Sequence, residues 1–81
     1  MHYEYKTKGT CSQRILFDIE DGKVKNVEFI GGCNGNLQGI SKLVEGMDVN
    51  DVIERIGDIR CGFKPTSCPD QLAKALQEAK N

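Results

Sequence analysis

Three stretches near the start of the chain alternate apolar and polar positions with the period of a strand. His2 to Thr7 places Tyr3 and Tyr5 on one side. Gln13 to Glu20 is the clearest: Ile15, Phe17 and Ile19 point one way, and Leu16, Asp18 and Glu20 the other, as a half-buried strand requires. Lys23 to Ile30 returns with Val27 and Phe29 on one face. Lys8-Gly9-Thr10-Cys11-Ser12 reads as the first turn. Asp21-Gly22 reads as a two-residue hairpin turn, because both residue types tolerate positive φ. Three consecutive strands joined by short turns predict an antiparallel meander with one covered face.

After Gly31-Gly32-Cys33-Asn34-Gly35-Asn36 the period lengthens to that of a helix. Leu37, Ile40, Leu43, Val44 and Met47 form one stripe, which Gly46 can end. Asp48 caps a second helix with Val49, Val52, Ile53 and Ile56 along its inner side, and Gly57 stops it. Asp58 to Ser67 reads as a loop holding Cys61, Gly62 and Pro65. A third helix starts at Pro69 and turns Leu72, Ala75, Leu76 and Ala79 inward. The expected fold class is α+β: a three-stranded antiparallel meander followed by three helices packed on one sheet face, in the order βββααα. No linker, low-complexity tract or internal repeat divides it, so residues 1–81 read as one domain.

Length makes that domain thin. A chain of 81 residues buries only about 60% of its unfolded surface, so a metal or a partner would add stability. A homodimer would suit such a core. Net charge is −1 with 28% charged residues, and neither sign forms a long run. That argues against a nucleic-acid or membrane surface driven by charge. No apolar run approaches the roughly 20 residues that span a bilayer. Met1-His2-Tyr3-Glu4-Tyr5-Lys6 lacks the apolar centre of a secretory signal. The expectation is a cytoplasmic protein with a protein partner.

Four cysteines change the picture. In a reducing compartment they read as thiols or metal ligands rather than disulfides. Cys33, Cys61 and Cys68 each fall at an element boundary, outside every apolar stripe, whereas structural cysteines usually sit among apolar residues. Three such cysteines read as converging on one site. Sets of three or four thiolates hold zinc or an iron–sulfur cluster, and Cys11 or Asp70 would complete the set. There is no C-x-x-C pair, so the pattern is not a zinc ribbon. Proline suits the first helical position, which puts Pro69 there and Cys68 at the N-cap, where the helix dipole favours a thiolate. Two alternatives stay open. In one, Cys68 and another cysteine form a dithiol that shuttles electrons, which needs Cα atoms within about 7 Å. In the other, the chain is an interaction domain with incidental thiols.

The other candidates have plainer readings. Gly31 to Asn36 lacks the lysine and spacing of a phosphate loop and reads as a tight turn with Asn34 or Asn36 capping the helix. His2 is a surface strand residue, Asp18, Glu20 and Asp21 are the solvent side of a hairpin, and Tyr3 and Tyr5 are sheet packing. Asp70, in a first helical turn, is a partner for the dipole.

Thr66-Ser67-Cys68-Pro69-Asp70 resembles the motif that names the TSCPD-domain family. The similarity extends to Gly31-Gly32-Cys33-Asn34-Gly35-Asn36-Leu37, to Gly39-Ile40 and to Cys61-Gly62, and so covers essentially the whole chain. Related segments are attached to the C-termini of adenosylcobalamin-dependent ribonucleotide reductases. The resemblance therefore implies a link to ribonucleotide reduction and a reductase as partner. Eighty-one residues cannot build the reductase barrel or its cobalamin pocket, so a reductase name would be inherited from the family and no catalytic residue is assigned. A looser, architectural similarity connects the βββααα order to NifU-like iron–sulfur scaffolds, in which three cysteines hold zinc or a nascent cluster. Cys33, Cys61 and Cys68 would take those places.

Overall fold

The computed structural model of the chain describes residues 2–7, 12–31, 34–60, 62 and 66–80. Three strands come first: β1 (His2–Lys6), β2 (Ser12–Glu20) and β3 (Lys23–Gly31). They form one antiparallel sheet in the order β1-β2-β3. Three helices follow: α1 (Asn34–Val44), α2 (Val49–Ile56) and α3 (Cys68–Lys80). The α+β meander-then-helices arrangement expected from the sequence is the fold.

The β2–β3 turn forms for the predicted reason. Asp21 lies at φ +53° and Gly22 at φ +75°, the left-handed pair that matches the twist of a two-residue hairpin. One feature of β3 departs from simple alternation. Leu16 pairs with Glu28 but Asp18 pairs with Lys25, so β3 carries one extra residue between those pairs. Asn26 absorbs it at φ +54°, a conformation asparagine tolerates better than most residues. The bulge shifts the pleat by one position, and Val24 and Val27 both reach the core although their spacing is odd. The Asn26 N–H donates to Glu45 Oε1 at 2.9 Å, and its side-chain amide donates to Asp18 Oδ2 at 2.9 Å.

The core lies between the sheet and the helices. Ile15 and Phe17 from β2, Val24 and Val27 from β3, Val44 from α1, Val49 and Val52 from α2, and Leu72, Ala75 and Leu76 from α3 form it. Tyr3 stands opposite Phe17 across the β1–β2 pair, their rings stacked with centroids 5.4 Å apart. Such a pair adds roughly 0.5–1.5 kcal/mol beyond the area it buries. The connection from α1 to α2 runs beside the start of β3. Gly46 N–H donates to Val24 O at 2.7 Å and Val24 N–H to Met47 O at 2.8 Å, so this outer edge is partly paired.

Two helix expectations are refined. Leu43, placed in the α1 stripe by its spacing, is 77% exposed. At 100° per residue it stands roughly 90° from the centre of the face set by Leu37, Ile40 and Val44. Gly57 ends α2 as expected, but with φ −66° it is not a left-handed cap. A Cβ there would lie 2.6 Å from Ile53 O and 3.7 Å from Ala73 Cβ. Glycine is required because the end of α2 passes close to its own last turn and to α3. The next residue, Asp58, takes the left-handed conformation at φ +67°.

Candidate functional site

Thr66 to Asp70 lies where the loop after α2 meets α3. Thr66, Ser67, Cys68 and Asp70 are buried and Pro69 is half-buried. Ser67, not Cys68, caps the helix. Its carbonyl accepts the Gln71 N–H at 2.8 Å and its Oγ accepts the Asp70 N–H at 3.1 Å, the two bonds that define an N-cap. Cys68 is thus the first helical residue and Pro69 the second, where a missing N–H still leaves no intrahelical bond unmade. The site expected for the thiol moves by one position because a hydroxyl oxygen is a much better acceptor than sulfur. The Ser67 hydroxyl also donates to Ile59 O at 2.5 Å, tying the loop to the cap.

Asp70 is the centre of this segment. It is 3% exposed. Its Oδ1 accepts the Asp58 N–H at 2.7 Å, and its Oδ2 accepts the Thr66 hydroxyl at 2.5 Å and Lys74 Nζ at 2.6 Å. Thr66 Oγ1 in turn accepts the Gln71 side-chain amide at 3.0 Å. Burial pushes the Asp70 carboxyl upward, but the bonds from Lys74, Thr66 and the Asp58 N–H outweigh it and hold the pKa below the ordinary carboxylate value. The carboxylate also holds Asp58 in its left-handed turn. Its oxygens are engaged inside the network. The sequence reading as a dipole partner captured only part of its role. The signal that could have found the rest is Thr66 and Lys74 at i−4 and i+4 from a carboxylate in a first turn.

The other two motif residues are Cys68 and Pro69. Both line a cleft of about 550 Å³ between the beginnings of α1 and α3. The opposite wall comes from α1 through Gly35, Asn36, Gly39 and Ile40. Ile59 and Arg60 of the loop close one side. Two segments far apart in sequence, 35–43 and 67–69, therefore meet at one concavity. A second hollow, of about 390 Å³, lies between β3 and α1 beside Glu28, Gln38 and Lys42 and contains no residue of Thr66–Asp70.

Cys68 is 8% exposed and is the one cysteine within the described residues. Cys11, Cys33 and Cys61 lie outside them. No group of three or more His, Cys, Asp or Glu side chains that could hold a metal occurs among the described residues. The cap expected of Asn34 or Asn36 also changes, since α1 already begins at Asn34 and Asn36 lies within its first turn. His2 is exposed and its Nδ1 lies 2.8 Å from Asp18 Oδ1, as a surface strand residue should be. No described helix is long and apolar enough to cross a membrane.

The family model for the TSCPD domain matches residues 2–80. The chain belongs to the TSCPD domain family. Within this TSCPD domain the naming motif is a structural device, in which Thr66, Ser67 and Asp70 lock a loop to a helix and leave Cys68 and Pro69 at a cleft. No curated protein and no solved structure matches the chain.

Proposed function

We propose that this TSCPD domain is a cysteine-bearing accessory module. It holds zinc or an iron–sulfur cluster through Cys33, Cys61 and Cys68, with Cys11 as the fourth ligand. It serves ribonucleotide reduction beside a reductase partner, a role that comes from the family resemblance. The observation that carries the metal reading is the placement of Cys68 on the wall of a cleft. Thiolates are soft donors that suit zinc and iron–sulfur chemistry. A bound metal would also add the stability that a thin core lacks.

The test is metal analysis and thiol titration of protein purified anaerobically without added metal. The reading expects zinc or iron near stoichiometric with the chain, and native thiols largely protected from titration. Substoichiometric zinc and iron, with all four thiols titrating in the native state, would overturn it.

A further inference from the structure

The cleft carries an apolar surface that neither the core nor the cap network explains. Leu43 is 77% exposed and Ile59 44%, and both line it. Single exposed apolar side chains are ordinary, but two that share one concavity with Ile40 and Pro69 form a continuous apolar lining. The charge at this surface has one sign. Arg60 is exposed and is the one ionisable side chain other than the Cys68 thiol among the described lining residues. The α1 wall, Asn34–Val44, carries no acidic residue, in a chain whose net charge is −1. An apolar lining with a cationic edge is complementary to a group that is apolar at its centre and anionic beside it. The volume of about 550 Å³ suits one large side chain and its flanking backbone.

We infer that the cleft docks a short peptide segment of a partner protein, one that presents a bulky apolar side chain next to an acidic residue. The apolar side chain packs on Leu43, Ile40 and Ile59, and the carboxylate pairs with Arg60. Extended polyanions are disfavoured by the overall negative charge. The inference does not depend on what Cys68 holds.

The experiment is selection of a displayed library of random octapeptides on the immobilised protein. Binding of the best peptide is then measured by fluorescence anisotropy to the wild type, Leu43→Asp and Arg60→Glu. Selected peptides should share a large apolar residue adjacent to Asp or Glu. Each substitution should weaken binding about tenfold or more, and selection repeated on Arg60→Glu should enrich Lys or Arg in place of the acid. Both side chains are exposed, so thermal midpoints should stay in place. Leu43→Ser and Arg60→Gln replace the charged versions if a midpoint moves. No enrichment, enrichment without an acidic residue, or affinity insensitive to both positions would overturn the inference. A dimer in sedimentation that Leu43→Asp dissolves would assign the cleft to a second copy and overturn it as well. Metal content measured on the same variants should not change, which keeps this result separate from that of the metal reading.

Discussion

Asp70→Asn tests the buried lock most sharply, because it keeps the shape of the side chain and removes only its charge. The carboxylate accepts from Asp58 N–H, Thr66 and Lys74. An amide can still accept from Asp58 N–H, but it turns an NH₂ toward donors. Lys74 is half-exposed and returns to water, so that pair accounts for at most about 1 kcal/mol. The Thr66 hydroxyl is buried and loses its short bond, keeping only the 3.5 Å contact to Ser67 O, at a cost of roughly 1–2 kcal/mol. Loss of a negative charge in the first turn of α3 adds about 0.5 kcal/mol. The sum is about 2–3 kcal/mol, which in a domain of this size lowers the thermal midpoint by roughly 10–20 °C. Circular-dichroism melts at pH 7 measure it. The sign of the pH dependence follows from the lowered folded-state pKa, against an ordinary value of 3.8. The carboxylate stabilises the fold above that ordinary value and ceases to do so as pH falls through the lower folded value. The gap between wild type and variant should therefore hold from neutral pH down to about pH 5, begin to narrow near the ordinary value and close once pH is below the lower folded value. A midpoint shift under about 2 °C at pH 7, or a gap that persists in strong acid, would refute the lock.

The remaining predictions concern the cap, the core, the close approach and the hairpin. Ser67→Ala removes the N-cap acceptor and the donor to Ile59 O, and urea unfolding should show a loss of about 1–2 kcal/mol. Leu76→Ala empties a fully buried core position and should cost about 2–5 kcal/mol by the same measurement. Gly57→Ala puts a Cβ against Ile53 O and should cost about 1–3 kcal/mol, although its φ is ordinary for alanine. The Asp18 carboxyl sits below its ordinary value because Asn26, and then His2, hydrogen-bond it. Asn26→Gly preserves the left-handed backbone and should raise the Asp18 midpoint in an NMR titration toward 3.8. An unchanged midpoint would show that the Asn26 bond is not what depresses it.

Most of the architecture was legible because it rests on local signals. Asp21-Gly22 states its turn through the φ values it permits, and the shift from alternation to a helical stripe after Asn36 separates strands from helices. The bulge at Asn26 was not legible, since the sequence shows only that Val24 and Val27 have odd spacing. Leu43 was misplaced because spacing alone cannot separate the edge of an apolar stripe from its centre when the edge borders a cleft. In the motif, proline drew the reading toward a cap at Cys68. The actual cap was Ser67, whose hydroxyl could be weighed against the thiol only with Ile59 O and Asp70 N–H in place. The commitment of Asp70 depends on Asp58, twelve residues away, and no local pattern encodes that contact. The expected convergence of Cys33, Cys61 and Cys68 rests on two residues, Cys33 and Cys61, that lie outside the described ones. Of that set, Cys68 is the one the structure places at the cleft.

The most direct measurement of the central claim is the metal content of single Cys→Ser variants at positions 11, 33, 61 and 68, purified anaerobically beside the wild type. The account predicts that Cys33→Ser, Cys61→Ser and Cys68→Ser each lose most of the bound zinc or iron, and that Cys11→Ser weakens its retention. Undiminished metal in Cys68→Ser, or a wild type that carries no metal, would contradict it.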